Sequence, residues 1–476
     1  MITDQLTIWD ALDAAFGNHP GHASLTKPDE TVLTYGELHS LVKHRAAELN
    51  KRYPERSVLC IYRSQPYDEA IDILAVLAAG HVAVPVSSKY GQDRLQKILK
   101  DCMPHGVLVD NGLDEQDFVQ PRAERPAAVT LSEDAAFILY TSGTTGRPKG
   151  VILTQRNILS NLMDIEDYFP VKDSDHILIF RPLSHASAIT GEFLHGLLHS
   201  ARITFYNDVQ FSPFKLIAML NQFQCTVFCT TPTVMYHLSG IKRRAVLHTV
   251  RVVAISGERL LKPVIDEISS VFPGIDFYNV YGLTEASPRI SFLAPSRFYE
   301  KAGSVGIPLN HVELLIVDED EWQCDPGEVG ELRVRGPNVM KGYWNDDVCT
   351  NQKLINGWLI TGDLAYIDSE GFLYIVGRKD ELIIRAGVNV YPCEIEEAII
   401  ENASIMDALV YGEADPKYGE SICLIVSCIE TMTEQDVMRI CLNKLEAYQV
   451  PDRIQIVNEI PRNKAGKKDK SKFIEK

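Results

Sequence analysis

Apolar and polar positions along the chain switch between two periods. Thr34-Tyr35-Gly36-Glu37 sets a hydroxyl three residues ahead of a carboxylate, and Leu38, Leu41, Val42, Ala46 and Leu49 follow at helical spacing. That pattern predicts a capped amphipathic helix. Residues 58–62 and 82–86 read as buried strands, with a helix at 68–79 between them. The order recurs: a helix at 154–168, a strand at 177–180, a helix through 193–198 and a strand at 203–206. Strands at 227–229, 252–255 and 277–280 continue it. Such alternation predicts mostly parallel sheets covered by helices.

After about residue 300 the texture changes. Residues 312–317, 330–335, 358–366 and 372–376 read as antiparallel strands, with Asp368-Ser369-Glu370-Gly371 as a turn. The charged break Gly377-Arg378-Lys379-Asp380-Glu381 marks a boundary. Beyond it, strands near 383, 408–411 and 422–427 with helices at 392–401 and 434–445 predict a small α+β unit. The expected class is α/β. A large N-terminal domain of mostly parallel sheets, with a small β-barrel-like subdomain, would span residues 1–378. A hinge would occupy 379–381, and a small mobile α+β domain 382–476.

Composition narrows the partners. The 476 residues exceed what one core supports. The net charge of −17 argues against nucleic acid or an anionic membrane as main partner. The longest apolar runs are too short to span a bilayer, and Met1-Ile2-Thr3-Asp4 does not open a signal peptide, so a cytoplasmic location is expected. Ten scattered cysteines without a CxxC pair predict free thiols in a reducing compartment.

The richest chemistry lies in Tyr140-Thr141-Ser142-Gly143-Thr144-Thr145-Gly146-Arg147-Pro148-Lys149-Gly150. Three glycines, five hydroxyls and two cations fall within these eleven residues, directly after an apolar strand. Glycines let the backbone approach an anion, hydroxyls donate to it and Lys149 adds charge, so this is a phosphate-wrapping loop. No Gly-Lys-Ser/Thr closes it, so it is not the common nucleotide loop.

Four further segments follow in order: Tyr281-Gly282-Leu283-Thr284-Glu285, Thr361-Gly362-Asp363, Gly377-Arg378-Lys379-Asp380 and Pro461-Arg462-Asn463-Lys464-Ala465-Gly466-Lys467. With the hydroxyl-rich loop they resemble the superfamily of adenylate-forming enzymes, which includes acyl-CoA synthetases, peptide-synthetase adenylation domains and beetle luciferases. The resemblance runs from about Thr34 to Lys467. It implies attack of a carboxylate on the α-phosphorus of ATP, then transfer of the acyl group to a thiol. Thr141, Ser142, Gly143, Thr144, Thr145, Gly146 and Lys149 would hold the β- and γ-phosphates. Thr284 would donate to the α-phosphate, and Glu285 would ligate Mg2+ as a hard carboxylate donor. Tyr281, with Asn279 and Gly282 beside it, would stack on adenine opposite Ser256, Gly257 and Glu258. Asp363 would accept from both ribose hydroxyls, and Arg378 would reach ribose and phosphate. Lys467 would bridge the carboxylate and the α-phosphate. Asp380 would be the pivot of the small domain.

The resemblance also places an acid pocket. His185, in Pro182-Leu183-Ser184-His185, would gate it, and Ala186, Ser187, Ala188, Ile189, Thr231, Thr233, Ala254, Ile255 and Ala286 would line it. No acid follows His185 until Glu192, which disfavours α-amino acids, and Ala186 replaces the asparagine of hydroxybenzoate activators. An uncharged aryl or alkyl acid is expected, or a β-amino acid if Glu192 faces inward. The thiol would belong to coenzyme A or to the phosphopantetheine of an acyl or peptidyl carrier protein. A stand-alone amino-acid adenylation enzyme, a non-catalytic acyl-adenylate binder and a luciferase are the competing readings.

Overall fold

Six strands form the parallel centre of a nine-stranded sheet. In spatial order they are Ala23–Thr26, Arg202–Phe205, His176–Ile179, Val227–Thr230, Val252–Ser256 and Asp276–Tyr281. Antiparallel strands close both edges. Chain order reverses at His176–Ile179: its successor Arg202–Phe205 pairs on one side, and Val227–Thr230 on the other. Loops leaving such a reversal point splay to opposite faces and open a crevice at the carboxyl ends of the strands. The computed structural model describes residues 6–110, 133–141, 147–207, 211–241, 247–462 and 468–473, with the backbone of 112–113.

A seven-stranded sheet stands beside the first. Its parallel core comprises Ala135–Thr141, Val82–Pro85, Val58–Tyr62 and Gly106–Val109. Ala135–Thr141 returns as the antiparallel strand Lys149–Thr154, with Thr141 opposite Lys149. The hydroxyl-rich stretch thus joins two antiparallel strands, its residues 142–146 lying outside the described residues, and Gly342–Tyr343 pairs with the second of those strands. The capping box expected at Thr34 is present, with Thr34 and Glu37 each bonding the other's backbone N–H. Helix Pro66–Ala78 is buried on nearly every side between these layers, and its apolar run from Ile73 to Ala78 suits that place.

The antiparallel texture after residue 300 becomes a five-stranded antiparallel sheet that includes Glu313–Val317, Gly330–Arg335, Trp358–Ile367 and Leu373–Arg378. The C-terminal unit packs Pro392–Ile400 and Glu434–Lys444 on its own five-stranded sheet, with a separate core of Ile395, Ile399, Val410, Leu424 and Val437. The two-domain α/β organisation matches the sequence reading. All ten cysteines are free, and among the described residues no helix is long and apolar enough to cross a membrane.

Candidate active site

Several of the predicted nucleotide residues are linked by hydrogen bonds at the carboxyl ends of the central strands. Tyr281 ends the strand Asp276–Tyr281, and its hydroxyl donates to Asp363, 82 positions away in the chain. Asp363 is 5 % exposed and faces Arg378 across two antiparallel strands; Arg378 Nη1 donates to Asp363 Oδ1 at 3.0 Å and to the Thr361 carbonyl at 3.1 Å. Burial, and then the Asp363 carboxylate, push the Tyr281 phenol well above its ordinary range, so it acts as a donor. A Cβ on Gly282 would lie 1.5 Å from the Pro288 carbonyl oxygen, so only glycine lets the chain fold back here. Ser256 and Gly257, the latter at φ 102°, stand at the end of the neighbouring strand. Glu258 accepts from Thr233 at 2.6 Å and from Arg462 at 3.1 Å. Asn279 is buried, and its amide donates to the Ser304 carbonyl at 2.7 Å, a tie within the scaffold.

A second row leads to the phosphate side. Thr284, Glu285 and Ala286 form a single 3-10 turn. Tyr343 donates its hydroxyl proton to Glu285 Oε1 at 2.8 Å. Lys149 Nζ lies 5.4 Å from the centre of the Tyr343 ring and 3.2 Å from Cys349 Sγ. Lys353 donates to the Ile360 carbonyl at 3.0 Å, and burial and the nearby Arg378 lower its pKa. Neither Tyr343 nor Lys353 was found from the sequence. The only local signal for Tyr343 is the short Gly-Tyr-Trp run in an otherwise polar stretch. Ser142, Gly143, Thr144, Thr145, Gly146 and Lys467 lie outside the described residues. Glu285 suits a hard cation by its donor chemistry: a half-exposed carboxylate with one oxygen already oriented by a phenol.

Residues 12–344 match the family model described as AMP-binding enzyme, and residues 394–467 its C-terminal domain. The chain belongs to the AMP-binding enzyme family. It is 30 % identical over 456 residues to a 2-succinylbenzoate–CoA ligase of Bacillus velezensis, covering 91 % of each chain. It is 28 % identical to an indoleacetate–CoA ligase of Aromatoleum aromaticum, over 97 % of this chain and 96 % of the other. Two structures of o-succinylbenzoate CoA synthetase from Bacillus subtilis, one with the acyl-adenylate OSB-AMP and one with ATP and a magnesium ion, superpose with a TM-score of 0.84. Both are 27 % identical to this chain and cover 97 % of it, with 97 % and 98 % of their own lengths matched. Family membership makes this chain an AMP-forming acid–thiol ligase by class.

Within this AMP-binding enzyme the acid-pocket candidates divide. His185 precedes the short helix Ala186–Ala188, which runs on into a π-helical turn, Ile189–Leu194. Ala186, Ile189, Ala254 and Ala286 share one buried cluster on one face of the nine-stranded sheet. Ile255 does not: it packs with Leu178, Phe228 and Val253 on the opposite face, because side chains alternate along a strand. Ser256, two residues from Ala254, regains the pocket face. Ser187 is partly exposed, and the Thr231 hydroxyl caps helix Pro232–Ser239.

Glu192 differs most from its expected role. Its side chain is fully buried, 3.4 Å from Arg181 Nη2, and burial pushes its carboxyl up to about 7 although Arg181 and Arg289 oppose the shift. A carboxylate already facing two guanidiniums is not a partner for a substrate ammonium, so the β-amino acid reading loses its motivating residue.

Asp380 lies in the 3-10 turn Lys379–Glu381, and its carboxylate accepts from Arg378 Nε at 3.2 Å. The position that resembles the pivot is thus bonded to the arginine that holds Asp363. Among the described residues, Arg462 pairs with Glu258 at 3.1 Å and Arg259 with Glu397 at 3.0 Å, joining the two units.

Proposed function

We propose that this protein activates a carboxylic acid with ATP as an acyl-adenylate, releasing pyrophosphate, and then transfers the acyl group to coenzyme A. The observation that carries the reading is the convergence of Tyr281, Asp363 and Arg378 in one hydrogen-bonded row beside Thr284 and Glu285. In the first step a carboxylate oxygen bonds to the α-phosphorus and the bond to pyrophosphate breaks. Two anions meet, so catalysis consists mainly of placed positive charge and donors. Asp363 accepts from the ribose hydroxyls once Tyr281 turns its hydroxyl away. Arg378 holds Asp363 in place and adds charge beside the phosphate. Thr284 donates to the α-phosphate, and Lys149 adds positive charge for the β- and γ-phosphates. A magnesium ion, held by Glu285, would screen the charge on the phosphate oxygens.

Residues 1–378 form the nucleotide-binding domain in this reading, residues 382–476 move, and 379–381 are the hinge. The Arg462–Glu258 pair supports a pose in which the C-terminal unit is drawn to the adenine wall, as adenylation needs. In the second step the thiol sulfur attacks the acyl carbonyl, AMP leaves and the thiol proton is released. Coenzyme A is favoured as acceptor because the similar ligases use it. The acid's body is aryl or alkyl, matched to Ala186, Ile189, Ala254 and Ala286. Pyrophosphate release and acyl-CoA formation, measured over a panel of carboxylic acids with and without coenzyme A, test the proposal. Acid-dependent pyrophosphate release followed by CoA-dependent AMP release is expected. No acid-dependent release would overturn it.

A further inference from the structure

The turn after the first helix brings two imidazoles and a carboxylate to one point on the surface. Helix Ile8–Asn18 ends at His19, and His19-Pro20-Gly21-His22 folds back on itself, the His22 N–H donating to the His19 carbonyl at 3.1 Å. Proline and glycine in the middle of the turn favour that reversal. It sets the two histidine rings side by side, with centroids 4.7 Å apart and planes tilted by 37°. Asp173 joins them from the segment between helix Gln155–Glu166 and strand His176–Ile179. A nitrogen of each ring and an oxygen of Asp173 lie within 4.8 Å of one another. All three side chains are exposed, and none makes a hydrogen bond or ion pair to another described residue.

The backbone that carries them is tied on both sides. The Pro20 carbonyl accepts from the Gly36 N–H at 2.8 Å and the His22 carbonyl from the Tyr35 N–H at 2.9 Å, both at the start of helix Tyr35–Arg52. Asp173 sits within a turn in which the Asp175 carboxylate accepts from the Lys172 N–H at 2.8 Å, and the Asp175 N–H donates to the Lys172 carbonyl at 3.0 Å. Asp175 is buried and accepts from Thr226 at 2.7 Å and Arg251 at 2.9 Å. Only side-chain torsions are left to adjust around a ligand.

The donor set selects a class of cation. Ligand atoms about 2.1 Å from a tetrahedral ion stand about 3.4 Å from one another, a contraction that side-chain rotation covers. Two imidazole nitrogens and one carboxylate oxygen favour zinc and its first-row neighbours, whereas magnesium and calcium prefer oxygen throughout. The place is also distinct from the nucleotide site. His22 leads into strand Ala23–Thr26 and Asp173 into His176–Ile179, and both run parallel to Arg202–Phe205 between them. The cluster therefore lies at the amino ends of these strands, while Ser256 and Tyr281 stand at the carboxyl ends of theirs.

We propose that His19, His22 and Asp173 bind one zinc ion, with water completing its shell, as a tie between the first helix and the centre of the nine-stranded sheet. An ion held by the folded chain alone stabilises that chain by mass action.

The untagged full-length chain, stripped with EDTA and kept in excess magnesium, is titrated with zinc chloride and followed by calorimetry. One zinc per chain is expected, with a micromolar dissociation constant. His19→Gln, His22→Gln and Asp173→Asn change exposed side chains and leave the core untouched; each should weaken binding at least about tenfold. Cobalt(II) reads the donors: visible d–d bands are expected without the near-ultraviolet charge-transfer band of a thiolate, which separates this site from the ten cysteines. Hydrogen exchange reads the place: zinc should slow exchange in residues 8–22 and 172–176 of the parent and in none of the variants. No saturable zinc binding up to millimolar concentration, parent affinity in all three variants, a thiolate band, or protection confined to other segments would each overturn the proposal.

Discussion

Tyr343 donates its hydroxyl proton to Glu285 Oε1 across 2.8 Å, while its ring lies 5.4 Å from Lys149 Nζ. One side chain thus spans the phosphate loop and the residue proposed to hold magnesium. Groups that orient a metal ligand typically matter ten- to a hundredfold. Tyr343→Phe keeps the ring under Lys149 and removes only the hydrogen bond. It is expected to raise the magnesium concentration needed for half-maximal pyrophosphate release by about tenfold, with the KM of the acid little changed. A magnesium titration of the initial rate checks this; an unchanged midpoint would remove Tyr343 from the site.

Asp380 accepts from Arg378, and Arg378 from its other side holds Asp363. A hinge at Asp380 must change its backbone angles, and proline fixes φ near about −65°. Asp380→Pro should leave acyl-adenylate formation standing and cut acyl-CoA formation by on the order of a hundredfold. Asp380→Ala loses the same hydrogen bond but keeps the backbone freedom, and should slow the second step only a few-fold. Comparable second-step rates in the two variants would mean that no rotation occurs there.

Lys467 would meet two anions in the first step only. Lys467→Ala is expected to slow adenylation by several orders of magnitude, on the order of 4 kcal/mol of transition-state stabilisation. Thioester formation from supplied acyl-adenylate should proceed at close to the parent rate. Separate single-turnover assays of the two halves decide it, and equal losses in both would refute the assigned role.

Glu69 bears on stability rather than chemistry. It is 4 % exposed in helix Pro66–Ala78, one of its oxygens lacks a partner, and burial pushes its carboxyl from 4.5 up to about 8. Below pH 4.5 both folded and unfolded chains hold the proton, so the group costs nothing. As pH rises from 4.5 to about 8 the unfolded chain is ionised while the folded chain still holds the proton, and stability is lost. Glu69→Gln cannot ionise and should gain on the order of 1–3 kcal/mol over the parent at the alkaline end of that window, and little at the acid end. Denaturant melts at both ends measure the difference; a gain independent of pH would point to packing instead.

The sequence by itself determined what depends on near neighbours. The capping box at Thr34, the strand–helix alternation and the antiparallel texture after residue 300 follow from hydrogen bonds and periodicities within a few residues, and each is present. The motifs bearing Tyr281, Thr284, Glu285, Asp363, Arg378 and Asp380 were legible because each is a short string of particular residue types at turns. The tertiary structure alone decided the pairings: Tyr343 with Glu285 58 positions apart, Lys149 with Cys349 200 apart, Arg462 with Glu258 204 apart. It also set Ile255 on the far face of its sheet, where one residue of strand alternation was enough to move it. The buried ion pair of Arg181 with Glu192 was hidden for the same reason. Arg181 and Arg289 lie more than a hundred positions apart, yet both act on the carboxyl of the buried Glu192. Local spacing reports which residues share a turn or a face; strand order, a long-range property, reports which charges must share one interior.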